Sequence, residues 1–308
     1  MSNQIIITGA TGFIGKSLCK QLAQAGYDVV ALSRNPKKGS ESLPNQVRVV
    51  NWDAKTSKGW VNYADGAYAI INLAGENIGS GRWTQGKKRR ILESRLNAGK
   101  AVVEAVEKVE NKPQVVIQAS GIGIYGNRDD EILDEFSRPG SGFLTEVAKQ
   151  WEGSTKKVES FGVRHVIIRT GVILGADGGF LSRVILPFRL FVGGRLGSGD
   201  QWIPWIHMDD EVRAIHFLME RPDLQGVFNL AAPNLLMSKD FFSLLGKTIK
   251  CPSWLPVPGF LLRLLLGERA LELILSGQRA TPKRLLESGY DFLYPEVKSA
   301  LREILTQS

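Results

Sequence analysis

The most constraining feature of the chain lies in its first fifteen residues, where Ile5-Ile6-Ile7-Thr8 runs directly into Gly9-Ala10-Thr11-Gly12-Phe13-Ile14-Gly15. An apolar β-rich run ends in three spaced glycines, and an amphipathic helical pattern, Lys16 to Ala25, opens on the last of them. That context distinguishes a dinucleotide signature from a chance glycine triplet. Small residues let the backbone approach a pyrophosphate, and the free N–H groups at the helix start attract its charge. Gly9, Thr11, Gly12, Phe13, Ile14 and Gly15 are the expected phosphate-side contacts.

The rest of the chain repeats the alternation. Apolar runs follow at Val29 to Leu32, Ala69 to Leu73 and Val115 to Ala119, with a helical pattern at about Lys87 to Val109. A helix near Leu144 to Ser160, a strand at Val166 to Thr170 and a strand at Gly226 to Leu230 come next. Strands alternating with helices predict an α/β fold, a Rossmann-type doubly wound parallel sheet covered on both faces. After Gly171 glycines become frequent, aromatics crowd Gln201 to Trp205, and Pro252, Pro256, Pro258 and Pro282 punctuate the tail. This texture predicts a smaller mixed, largely helical C-terminal lobe. The expected division is a cofactor domain of residues 1–172 and 205–232 and a substrate-side lobe of residues 173–204 and 233–308.

The end of the second strand selects the cofactor. It reads Leu32-Ser33-Arg34-Asn35, with no carboxylate to accept bonds from an adenine ribose. Arg34 can make charge-assisted bonds to a 2′-phosphate and Ser33 can add a hydroxyl, which points to NADP(H). A solvent-exposed arginine at a strand end is the alternative reading.

A net charge of +8 raises the question of nucleic acid, but the charge is spread along the chain. Its sharpest cluster, Lys87-Lys88-Arg89-Arg90, lacks the interleaved aromatics of a single-strand groove and suits a solvated helix start or an anionic ligand. Nucleic acid is not an expected partner. Cys19 and Cys251 show no metal or redox spacing, and His165, His207 and His216 lack companion ligands, so no metal site is expected. The first strand starts too close to Met1 for a targeting segment, and a cytoplasmic location is expected. Phe260 to Leu275 is interrupted by Arg263, Glu268, Arg269 and Glu272, which predicts an amphipathic core helix and no membrane partner.

With these motifs placed, the chain resembles the extended short-chain dehydrogenase/reductases, and within them the atypical epimerase-like NADP(H)-binding branch sometimes labelled cell-division inhibitors. The resembling segments are Asn72 to Ile78, Ser94-Arg95, Ser120 through Gly126, Arg169 to Gly175, Gly197 through His207, and a tail including Gly267-Glu268 and Pro282 to Tyr290. The resemblance implies cofactor contacts from Ser33, Arg34, Leu73, Ala74, Gly75, Arg95, Ser120, Lys149 and Ile173. It implies hydride transfer to or from an unidentified small-molecule substrate, as in an oxidoreductase or a nucleotide-sugar epimerase.

The family's catalytic pattern breaks in this chain. The resemblance implies a Tyr-x-x-x-Lys pair sharing one helix face, and the corresponding stretch places Thr145 where tyrosine is expected while keeping Lys149. The usual hydroxyl that holds the substrate oxygen falls on Gly121, with Ser120 one residue early. Tyr125, Glu76 and His207 are further proton-transfer candidates, each with a structural role also open to it. Tyr125 can pack a loop, Glu76 can pair with a cation, and His207 can precede a capped helix. Trp202 and Trp205, with Glu76 and His207, are the expected substrate-pocket residues. The altered catalytic set keeps a second class of function open, a non-catalytic NADP(H)-binding regulatory protein. A homodimer remains open as its assembly.

Overall fold

The computed structural model describes residues 2–306. Seven parallel strands form its central sheet: β1 (Gln4–Thr8), β2 (Asp28–Ser33), β3 (Arg48–Asn51), β4 (Ala69–Asn72), β5 (Val115–Gly121), β6 (Arg164–Thr170) and β7 (Gly226–Leu230). Their order across the sheet is β7-β6-β5-β4-β1-β2-β3. The expected Rossmann-type α/β fold with a largely helical C-terminal region is what the chain adopts.

The β1 sequence shows why the sheet is covered on both sides. Side chains alternate across a strand, and here both directions are apolar. Ile5 and Ile7 join the core that holds Leu18 and Leu22 of α1 (Phe13–Gln24) and Val212 and Ile215 of the helix Met208–Glu220. Ile6 joins the opposite core with Ala98, Val102 and Ala105 of α2 (Gln85–Lys108). All three isoleucines are fully buried, each contributing roughly 1.5–3 kcal/mol of transfer free energy.

β3 has no counterpart among the expected strands. It is a four-residue edge strand whose outer positions, Arg48 and Asn51, are exposed, so only Val49 and Val50 carry an apolar signal.

Beyond the sheet, Val172–Leu174 pairs in parallel with Trp205–His207, and Trp202–Ile203 pairs antiparallel with Leu236–Met237. A third core under this region gathers Leu181, Phe188, Phe241, Phe242 and Leu301. The expected amphipathic core helix over Phe260 to Leu275 is corrected by the structure. Gly267, at φ +62°, ends the helix Gly259–Leu266 in the left-handed region, and a short helix Glu268–Ala270 and a π-helical turn Leu271–Leu275 follow. Leu262 and Ala270 face inward, whereas Phe260, Leu264 and Leu265 are exposed. Among the described residues no helix is long and apolar enough to cross a membrane.

Candidate functional site

Strand order reverses between β1 and β4, and a doubly wound sheet opens its ligand crevice at that point. Gly9 leaves β1 at φ +68°, and a Cβ there would lie 2.8 Å from the carbonyl of Leu73. A Cβ on Gly15 would lie 2.3 Å from the Gly9 oxygen. Only glycine permits either approach. The turn closes with the Gly12 amide donating to the Gly9 carbonyl at 2.9 Å. At the N-terminus of α1 no side chain caps the free amides and no acidic residue occupies the first turn, which leaves the positive end of the helix to an anion.

Buried polar side chains lock the strand ends beneath this cradle. The Thr8 hydroxyl donates to Asn72 Oδ1 at 2.6 Å, Asn72 Nδ2 donates to Gln118 Oε1 at 2.8 Å, and the Ala74 amide donates back to Thr8 at 3.1 Å. The Leu73-Ala74 turn is thereby held against the glycine loop. Gly75 continues it beneath Arg95, whose guanidinium carbon would lie 2.8 Å from a Cβ at that position.

At the end of β2, Ser33 is buried and exchanges hydrogen bonds with the Asn35 backbone, while Arg34 is exposed. Glu76 sits close by, and its carboxyl is held below the usual range first by the hydrogen bond from Lys87, at 2.6 Å, and then by the charges of Lys87, Arg90 and Arg34. Three cations thus converge beside the strand end. The basic cluster is not simply a solvated helix start, because Lys87 is buried against Glu76 and Lys88 pairs with Glu268. Glu76 is corrected as a substrate-pocket and proton-transfer candidate: it is an ion-pair partner outside the cleft.

The cleft itself, about 440 Å³, opens at the C-terminal ends of β4, β5 and β6. Ile14, Leu73, Ser120 and Ile173, expected as cofactor contacts, line it, and the C-terminal region closes it with Trp202, Leu273 and Ile274. Arg95 also lines it, with its guanidinium 4.6 Å from the Trp151 ring and Nη1 donating to the carbonyls of Glu76 and Ile91. Burial pushes the Arg95 pKa down to about 10.

The expected catalytic set does not converge there. On α3 (Phe143–Gly153) the residues facing the cleft are Leu144, Val147, Ala148 and Trp151. Leu144 and Ala148 form an i, i+4 pair on that face, and neither ionises. Thr145 is buried, donating to the Gly123 carbonyl at 3.2 Å, and Lys149 points to solvent beside Glu146 at 3.4 Å. Both are corrected as cleft residues, Lys149 in its expected cofactor role as well.

Tyr125 is likewise corrected. It is fully buried, with its hydroxyl bonded to Asn229 at 2.8 Å and to the Asp134 carbonyl at 2.9 Å, and with Arg169 donating to it at 3.0 Å. Burial pushes its pKa up. Trp205 is fully buried, with its indole nitrogen donating to the Asn234 carbonyl at 3.1 Å, and it belongs to the third core and not to the cleft. His207 accepts the Asp209 amide at 3.1 Å to cap its helix and lies 3.0 Å from Glu303 Oε2. It lines a separate cleft on the α1 side, away from the cavity. His207, Asp209 and Glu303 bring ligand-type atoms within 4.8 Å of one another, but both ring nitrogens of His207 are already engaged by protein groups.

Three polar arrangements around the cleft carry no local sequence signal. Glu152 accepts Ser120 at 2.6 Å and two guanidinium bonds from Arg169 at 2.8 and 3.0 Å, fixing the serine from behind. Glu272 arrives from the C-terminal region to accept the Phe143 and Leu144 amides at 2.9 and 3.1 Å, capping α3. Glu211 is fully buried and accepts the Thr170 hydroxyl at 2.8 Å, and burial pushes its pKa up to about 8. These pairs join residues 17 to 129 positions apart, so no window of sequence contains them.

Fold and cradle together define a dinucleotide-binding protein of the extended Rossmann class, with a C-terminal region closing the substrate side. The chain belongs to the NAD dependent epimerase/dehydratase family, whose profile matches residues 5–231, and residues 257–304 match a domain of unknown function, DUF1731. It is 40% identical over 98% of its length to the chloroplastic epimerase family protein SDR39U1 homolog of Arabidopsis thaliana, covering 86% of that protein. It is 38% identical to the epimerase family protein YfhF of Bacillus subtilis, covering 98% of this chain and 97% of that one. The crystal structure of human epimerase family protein SDR39U1 (isoform 2) with NADPH superimposes with a TM-score of 0.89 at 30% identity, covering 99% of this chain and 100% of that one. The resemblance drawn from the motifs is borne out.

Proposed function

We propose that the protein binds NADP(H) in the crevice between β1 and β4 and, in the adjoining cleft, reduces or oxidises a small molecule by hydride transfer. The cleft carries this reading: a cavity of about 440 Å³ opens directly beyond the glycine cradle and is closed by the C-terminal region. Its inner end, at Leu73, Ile173 and Trp151, suits a nicotinamide, and its outer end, at Phe180, Phe242 and Ile274, leaves room for a second molecule. The human relative crystallised with NADPH supports the cofactor, and Arg34, exposed at the end of β2, supplies charge for a 2′-phosphate.

The residues present fit such a group. Gly9 and Gly15 let the loop close tightly on Leu73 and on itself, leaving the α1 amides uncapped for a phosphate, and Trp151, at the cleft wall, has a buried indole nitrogen without a hydrogen-bond partner among the described residues. When bound, the nicotinamide supplies or accepts the hydride. Leu73, Ile173 and Trp151 give it an apolar surround. Thr170 is a wall hydroxyl backed by a buried acid: Glu211 stays protonated near neutral pH, and when the bond between them reverses so that the acid donates to Thr170, Thr170 can hand its own proton to a substrate oxygen, in place of the absent tyrosine and lysine.

NADPH deuterated at C4 on either face, incubated with the protein and a panel of aldehydes, ketones, quinones and sugar nucleotides, tests this. Stereospecific deuterium in one product, read by mass spectrometry, is expected. If the protein binds NADPH yet labels nothing, hydride transfer is wrong. The second reading, a cofactor-dependent contact with a partner, then stands, and the apolar pair Leu144 and Ala148 is the observation that favours it.

A further inference from the structure

We infer, resting on the reading that a substrate occupies the cleft beside the cofactor, that this substrate is an uncharged, largely apolar molecule and not a sugar nucleotide. The cleft wall is built from Leu144, Phe180, Leu196, Phe242, Leu273 and Ile274, contributed by five separate segments. Most of its polar groups are turned onto the protein.

Among the described residues only two charged side chains reach the wall, Arg95 and Glu272. A diphosphate bearing two negative charges needs a free cation or an open helix N-terminus. Arg95 is a single cation whose guanidinium stacks on Trp151 and whose Nη1 donates to two backbone carbonyls, and one such charge does not balance the two of a diphosphate. The N-terminus of α3 faces this cleft, but the Glu272 carboxylate already occupies the anion's place on its Phe143 and Leu144 amides. A diphosphate entering there meets a carboxylate.

The neutral polar groups are committed in the same way. Ser120 donates to Glu152, and Gln201 donates to the carbonyls of Leu196 and Ile274. Gln278 donates to the Gly126 carbonyl and Ser276, and the Trp202 indole donates to Asp130. Thr170 is backed by Glu211, which is neutral near pH 7. Transferring a doubly charged ligand into such a wall leaves charge unpaired, whereas an apolar ligand with one carbonyl or hydroxyl oxygen matches the wall and its few hydroxyls.

Isothermal titration of the full-length protein, loaded with NADP⁺, against 9,10-phenanthrenequinone and against UDP-glucose decides the matter. The quinone is expected to saturate at about 10 μM, and UDP-glucose to show no saturation up to about 1 mM. Ile274→Lys places a charge in a half-buried stretch of the wall and is expected to weaken the quinone about tenfold or more, with Ile274→Thr intermediate. NADP⁺ affinity should stay within about twofold in both variants, which shows that they fold. Saturation by UDP-glucose in the micromolar range, no saturation by the quinone, or quinone affinity unchanged in both variants overturns the inference. Quinone binding without deuterium transfer keeps the ligand class and removes the hydride chemistry. Deuterium transfer to a sugar nucleotide removes the ligand class and keeps the chemistry.

Discussion

The two ends of the cleft are built from opposite materials. At the cofactor end the chain offers backbone amides, glycines and cations; at the substrate end it offers leucine, isoleucine and phenylalanine, with most polar groups tied back to the protein. The first arrangement recognises a charge and the second excludes one. A protein that handled two nucleotides, a cofactor and a sugar nucleotide, would need phosphate chemistry at both ends. This one has it at only one.

The largest expected effect breaks the cofactor end. Gly15→Ala forces a Cβ within 2.3 to 2.7 Å of three backbone atoms of Gly9 and Ala10, and NADPH affinity measured by fluorescence titration should fall by about a hundredfold or more. Retained far-ultraviolet circular dichroism distinguishes that loss from unfolding.

A second effect concerns the neutral acid beneath the substrate end. The unfolded Glu211 titrates at an ordinary carboxyl pKa, whereas the folded one is raised to about 8 by burial. Between those values the unfolded state releases a proton that the folded state keeps, so this group's contribution makes stability fall as pH rises from about 4.5 to 8. Urea unfolding at pH 5 and pH 8 should show a loss on the order of a few kcal/mol that Glu211→Gln removes. An unchanged pH slope in the variant would show that Glu211 is ionised in the fold.

Arg34→Ala sharpens the cofactor end. It should weaken NADPH by about tenfold or more while leaving NADH nearly unchanged, because only NADPH carries the 2′-phosphate. Equal loss for both cofactors would remove Arg34 from that role. The smallest effect separates the two registers of α3: Lys149→Ala should leave NADPH affinity within about twofold, since Lys149 points to solvent beside Glu146.

How much of this was legible in the sequence follows the same division. The cradle is local chemistry, with three glycines between a strand and a helix, and its residues fall where they were expected. The fold was legible for a related reason, because continuous apolar runs such as Ile5 to Thr8 declare a sheet buried on both faces, while β3, with only Val49 and Val50, was too short to declare itself. The substrate end depended on helix register. Thr145 and Lys149 share a face, but one residue moves a side chain by about 100° around the helix, and the cleft selects the neighbouring face of Leu144 and Ala148. Tyr125, Glu76 and His207 have the chemistry of a site and are held elsewhere by partners distant in sequence: Asn229, Lys87 and Glu303.

Competition between the two nicotinamide cofactors for the wild-type protein tests the central claim most directly. Titrated separately and then against one another, NADPH should bind at about micromolar concentration and NADH at least about tenfold more weakly. Equal affinity for the two, or no saturable binding of either, would contradict an NADP(H) site at the β1–β4 crevice.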